Sequence, residues 1–210
     1  KSKEASLEKS KSTGFLGGII IAVLGFILYS NTLNHGYTLD DYSVILENRV
    51  TKQGIAAIPE IFKTSYRYGY HFTSDDLYRP VVKAMFAAEW DLGKQSPKAG
   101  HWMNVLFYAL TGWILYFSLL RISKGNVLFA FISAALFIAH PVHTEVVASI
   151  KSRDEILAFL FSIWALERYI TSIRNRKTST LLTAAALYLI ALLSKESAIT
   201  FLAVFPLTAW

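Results

Sequence analysis

"GFLGGIIIAVLGFILYSNTL", Gly14 to Leu33, decides the fold class. It holds no charged side chain and matches the ~20 consecutive apolar residues that the hydrocarbon core of a bilayer demands of a helix. Its apolar length exceeds the ~7–15-residue core of a secretory signal, and no A-x-A-like cleavage site follows, so it reads as an uncleaved first span. Five more apolar runs follow: Trp102 to Leu120, Val127 to Ala139, Ile156 to Ile170, Leu181 to Leu193, and Ala198 to Trp210. The last four are shorter than a full span. Val127 extends to Val142, and Leu181 back to Thr178, with only mildly polar additions. The expectation is an all-α polytopic membrane protein.

Composition agrees. The 210 residues are 53% apolar and 14% aromatic, with a mean hydropathy of +0.38; a soluble domain averages ~45–50% apolar even with Gly counted. The net charge of +6 is scattered among the apolar runs instead of being gathered on one soluble face, which argues against nucleic acid as a partner. There is no cysteine, so neither a disulfide framework nor a thiolate metal site is available.

The charges orient the spans. With the N-terminus cytoplasmic, the inner segments are the tail 1–13, Arg121 to Asn126, and the "RNRKT" stretch together with Glu167 and Arg168. They hold ten Lys/Arg against three acids, leaving eleven and twelve outside. Every short inner connection is then basic, as the positive-inside bias requires. The same alternation brings the long first outer loop (34–101), His140 to Glu155, and the "SKES" of Ser194 to Ser197 to one outer face. Ionisable residues collected at one face suit a catalytic surface. A transport pathway would place them at mid-membrane, where this chain offers mainly Asn104, Thr111, Ser133 and Ser162.

Within the outer loop, "GYTLDDYSVILENRV" places Asp40 and Asp41 close to the first span. Adjacent carboxylates repel, which raises the pKa of one and suits it to act as a general base or metal ligand; a solvated loop pair is the plain alternative. "GIAAIPEIF" and "VVKAMFAAEWDLG" alternate at helical spacing and read as amphipathic interfacial helices. Between them, "SDDLYRP" supplies Asp75 and Asp76, read as solvated or capping residues, and Arg79 ahead of Pro80. In "LFIAHPVHTEVVASIKSRDE", Leu136 to Glu155, Pro141 suits the first turn of a new helix, and Val142, Val146 and Ile150 recur on one face of it. His140 and His143 have a spacing open both to metal binding and to packing. Lys151, Arg153, Asp154 and Glu155 either mark the membrane interface or, with Lys195, offer cations to a lipid phosphate.

"LDDYSVILENRV", "YRPVVKAMF", "LFIAHPVHTEVVASIKSRDEILA" and "ALLSKESAIT" occur in the order and spacing of the transmembrane and tetratricopeptide-repeat protein O-mannosyltransferases and their bacterial relatives. The chain resembles these membrane-embedded C-class glycosyltransferases over roughly residues 15 to 205, and H-P-V-H-x-E-V-V with its following Arg-Asp-Glu is the most specific piece. It departs from the family pattern at Ser197, where Gln more often follows Lys-Glu. The resemblance implies a C-type transmembrane bundle, of which residues 14–210 form the N-terminal part. It also implies a polyprenyl-phosphate-linked sugar donor and transfer to a hydroxyl on the periplasmic or lumenal face, in a bacterium from the inner membrane. Carried onto this sequence, Asp40 and Asp41 are the catalytic acidic motif, and Arg79, Arg153 and Lys195 bind the donor phosphate. His140, His143, Glu145, Asp154, Glu155 and Glu196 position substrate, and a divalent metal ion stays open as a cofactor. The acceptor that the resemblance implies is a protein Ser/Thr, with a lipid or glycan acceptor as the alternative within the class and a polytopic transporter outside it.

The topology has a direct check. Cysteine introduced at Ser74 should react with a membrane-impermeant thiol reagent from the side opposite the N-terminus; labelling only after the membrane is opened would reverse the orientation.

Overall fold

The computed structural model describes residues 2–71 and 76–209, with side chains described from Gly14 onward and not at Ala209; Ser74 and Asp75 lie outside this range. Among the described residues the regular elements are helices: α1 (Ser2–Tyr29), α2 (Ile58–Ile61), α3 (Pro80–Leu92), α4 (Pro97–Ile122), α5 (Val127–Ile138), α6 (Thr144–Ala148), α7 (Arg153–Asn175), α8 (Thr178–Ser194) and α9 (Phe201–Ala209), with 3-10 turns between several of them. The expected inner tail and first span share one continuous helix, since α1 already begins at Ser2.

Three helical segments are long and apolar enough to cross a bilayer: Gly14–Asn34, Pro97–Ile122 and Arg153–Asn175. A fourth span arises if α5 and Pro141–Ala148, bent by 47° at a short break, are taken as one. The helices Thr178–Ser194 and Glu196–Thr208 are shorter. All six apolar runs, as far as they are described, therefore form helices, and the chain is an all-α, multi-pass membrane protein.

Helix α4 is the hub, packing on α1, α5 and α7, and α7 packs in turn on α8. Small residues set these close approaches. A Cβ at Gly17 would stand 2.6 Å from the Tyr116 hydroxyl, and one at Gly112 would stand 2.9 Å from Ile138. The central cluster of Ile21, Val105, Tyr108, Tyr116, Ala134 and Ile138 is fully or nearly fully buried. The outward faces remain apolar. Phe15, Ile19, Val23 and Ile27 on α1, Leu128, Ile132 and Leu136 on α5, and Leu182 and Leu189 on α8 are exposed, as lipid contact calls for.

The long first loop folds as a cap on one end of this bundle. α3 turns Val82, Phe86 and Trp90 inward, where they meet Val44, Ile45, Tyr66, Ile150, Leu157 and Leu160. "GIAAIPEIF" is a 3-10 turn (Thr51–Ala57) followed by the single turn of α2; Ala57 and Ile61 pack on Val50 and Ala87. Both amphipathic segments thus cover the loop's own core, with Ile55, Phe62 and Leu92 left exposed. Gly54 needs its missing side chain, with φ at +69° and the Asp91 carboxylate where a Cβ would be; that carboxylate accepts from Ile55 N at 2.8 Å. The stretch after Pro141 departs from a continuous helix. α6 ends at Ala148, Ser149 is extended, and Ile150 turns into the loop core.

One buried cation ties cap to bundle. The Arg153 guanidinium, 0% exposed, donates to both oxygens of Glu89 on α3, to Asn104 Oδ1 at 2.8 Å and to the Gly100 carbonyl at 2.9 Å on α4, and lies over the Phe86 ring. Breaking a buried ion pair by removing one partner costs roughly 3–5 kcal/mol. Arg153→Ala should therefore lower the thermal midpoint of the detergent-solubilised protein by many degrees; an unchanged melt would show that this node carries no load.

Candidate active site

Asp40 and Asp41 are neighbours in sequence with opposite environments. A turn at Leu39, held at φ +45°, sends Asp41 inward. Its Oδ2 accepts from Thr38 N at 2.9 Å and its Oδ1 from Lys151 N at 2.7 Å, so it staples the first loop to the segment before α7. Burial raises its pKa, against the lowering effect of those two N–H bonds and of nearby His101. Asp40 faces out, 55% exposed, with Arg67 at 3.6 Å and Lys151 Nζ at 3.9 Å.

Beyond Asp40 the charges alternate. Lys151 Nζ also lies 3.6 Å from Asp154, which is fully buried at the start of α7 and receives Arg79 Nη1 at 2.5 Å and Lys195 Nζ at 3.7 Å. Arg79 forks onto Glu196, with Nε at 2.9 Å and Nη2 on the second oxygen, and stacks over the Tyr66 ring. Lys195 pairs with Glu155. Three cations therefore converge on one buried carboxylate, and their remaining partners, Asp40, Glu155 and Glu196, are all about half exposed. Tyr66 is buried beneath them. Burial and Asp154 push its hydroxyl well above the ordinary tyrosine pKa, so it stays protonated.

The structure brings Asp40, Arg79, Asp154, Glu155, Lys195 and Glu196 into this one cluster. Arg153 is turned away into the Glu89 node. His140 Nδ1 accepts from Val142 N at 3.2 Å as a helix cap. His143 packs against Phe137 with ring centroids 4.4 Å apart and shares a 3.0 Å hydrogen bond with the Tyr108 hydroxyl, whereas the His140 side chain is exposed. Glu145 is exposed. Among the described residues, no three His, Asp or Glu side chains converge as metal ligands. The sequence reading missed Arg67, Tyr66 and Glu89, which stand in no spaced motif. Asn104, a lone amide in an apolar run, carried a signal: its Nδ2 donates to the Val147 and Ser149 carbonyls and its Oδ1 accepts from Arg153.

Comparison with known proteins supports the resemblance in the motifs. The chain is 30% identical to protein O-mannosyl-transferase Tmtc1 of Drosophila melanogaster over 95% of its own length and 23% of that protein's. It is 31% identical to human protein O-mannosyl-transferase TMTC2 over 75% of the chain and 19% of that protein. With protein O-mannosyl-transferase F38B6.6 of Caenorhabditis elegans the identity is 29% over 90% and 27%. The chain thus spans about a quarter or less of the length of these curated relatives. No family model matches, and no solved structure does.

The staple and the outward carboxylate separate in a melting experiment. Asp41→Ala strands two backbone N–H groups and should destabilise by about 1–3 kcal/mol, whereas Asp40→Ala should stay within about 0.5 kcal/mol. A raised folded pKa means that Asp41's linkage contribution is fully present below the unfolded carboxylate value and is lost as pH rises through the folded one. The gap in melting temperature between the parent and Asp41→Ala should therefore narrow from acid to neutral pH. A gap that widens would contradict the burial-dominated shift.

Proposed function

We propose that the chain carries the catalytic face of a glycosyltransferase that moves a mannose-type sugar from a polyprenyl phosphate to a Ser or Thr hydroxyl of a protein. The reaction face is the one opposite the basic connections, periplasmic or lumenal. The observation that carries this reading is one juxtaposition: the exposed carboxylate of Asp40 beside Lys151, at the open edge of the Arg79, Lys151 and Lys195 cluster. The relatives' printed names supply the sugar and the class of acceptor.

In this reading Asp40, the member of the pair that substrate can reach, takes the proton of the acceptor hydroxyl. The hydroxyl oxygen attacks the anomeric carbon as the bond from that carbon to the phosphate oxygen breaks. Polyprenyl phosphate leaves with the electron pair. Lys151 and Lys195 lie close to Asp154 without tight contact, so a phosphate entering from the open side can draw their charge away from the half-exposed acids. Fixed cations aimed at charge that grows during the reaction stabilise the transition state more than the ground state. Arg79, forked between Glu196 and Asp154, positions the cluster. Arg153 acts one layer further back by fixing the first turn of α7. An apolar groove of about 270 Å³ lined by Tyr108, Phe137, His143, Val146 and Phe159 has Glu155 on its rim; a prenyl chain has an apolar path there beside the cations.

Membranes containing the protein, supplied with radiolabelled polyprenyl-phosphate mannose and a Ser/Thr-rich acceptor peptide, should transfer label to the peptide. Asp40→Asn should lower the rate by about 10²–10⁴-fold, the usual range for general-base catalysis, with donor binding kept. Lys151→Gln and Lys195→Gln should each lower it on the order of tenfold to a hundredfold, the loss of one charge-assisted contact. Full transfer by Asp40→Asn would remove the base assignment, and label appearing only in lipid would replace the protein acceptor.

A further inference from the structure

At the opposite end of the bundle a second ion cluster stands apart from the proposed reaction. Glu167 on α7 is buried, and its carboxylate is shared by two arginines: Arg121 of α4 reaches Oε1 at 2.8 Å and Arg168 reaches Oε2. The Thr171 hydroxyl donates to Oε1 at 3.2 Å. Each guanidinium commits one nitrogen to Glu167. Among the described residues the other nitrogens have no protein partner, and both side chains are about one-third exposed. The cluster carries a net charge of +1.

These arginines and Glu167 line a cavity of about 320 Å³ whose other walls are Phe15, Trp113, Ile114, Phe117 and Trp164. Phe15 and Trp113 meet edge to face at 5.3 Å. Arg121 and Gly100 are about 30 Å apart along α4 at 1.5 Å per residue, roughly the thickness of a bilayer core. The cavity therefore lies at the far membrane boundary, where the connections after α4 and α7 expose Lys124, Arg174, Arg176 and Lys177. Two tryptophans are the side chains favoured at that depth. An apolar chamber with guanidinium donors at its mouth matches one chemistry: acyl chains joined to an anionic phosphate.

We propose that the cavity bounded by Arg121, Arg168, Trp113 and Trp164 is a binding site for an anionic glycerophospholipid of the leaflet at the basic end of the bundle. Glu167 holds each guanidinium by one edge and leaves the rest of the fork for the phosphate, the bidentate geometry in which arginine outperforms lysine. The acyl chains take the place beside Phe15, Phe117 and the two indoles.

The test uses the full chain, purified in a neutral detergent and delipidated, with bound lipid counted by native mass spectrometry. Phosphatidylglycerol should be retained over phosphatidylcholine, and millimolar inorganic phosphate should not displace it. Arg168→Gln, which leaves Arg121 on Glu167, should weaken retention on the order of fivefold, the worth of one cation near an anionic surface. The triple variant R121Q/E167Q/R168Q removes the buried charge together with its partners and should abolish the preference at an unchanged fold. Equal retention of the two lipids by the parent, or the parent's preference surviving in Arg168→Gln, overturns the site; displacement by inorganic phosphate replaces the lipid with a soluble anion.

Discussion

Burying two opposite charges side by side at the first turn of α7 is the constraint on which the capped end of this protein depends. Arg153 and Asp154 are both 0% exposed, and successive residues of a helix point about 100° apart, so one cannot satisfy the other and each needs its own surroundings. Moving an ion out of water costs several kcal/mol unless partners replace the water. Arg153 therefore fixes α3 through Glu89 and α4 through Asn104 and Gly100. Asp154 fixes the approach of Arg79, Lys151 and Lys195. A long loop, a helix break and the segment after α8 are drawn to one place by the desolvation of these two side chains. A buried ion pair often yields to apolar replacement at no loss of stability. Stability alone therefore does not account for so much charge here.

Fold class was legible because it rests on composition over long windows. Runs such as Gly14 to Leu33 can satisfy their backbone in lipid only as helices. The convergence of the first loop, residues 140–155 and Lys195 at one end was legible too, since helix alternation places them there regardless of side-chain detail. Roles decided by a single dihedral or by distant partners were not. The left-handed turn at Leu39, which no spacing announces, separates buried Asp41 from exposed Asp40. Arg153 and Lys195 look alike as cations at an interface, but the partner that claims Arg153 is Glu89, 64 residues earlier on a helix whose polar face gives no sign of it. The periodicity of Val142, Val146 and Ile150 suggested one helix; the chain breaks after Ala148 because Ile150 is buried in the loop core instead.

That break shows how the bundle tolerates irregular backbone beside the membrane. Between Ala139 and Arg153 the helical ladder is interrupted, and each interruption frees carbonyl and N–H groups that an apolar environment would leave costly. The sequence answers with side chains. His140 caps Val142 N, the Tyr108 hydroxyl reaches the Ile138 carbonyl at 3.0 Å, Asn104 covers Val147 and Ser149, and Asp41 takes the N–H of Lys151. Asn104 and Asp41 bind this segment as acceptors and donors of the kind a water would provide, so water need not enter. The most distinctive motif of the chain is thus a stretch of interrupted helix whose freed backbone groups are met by protein side chains, and this holds Lys151 between Asp40 and Asp154 while the groove beside it stays apolar.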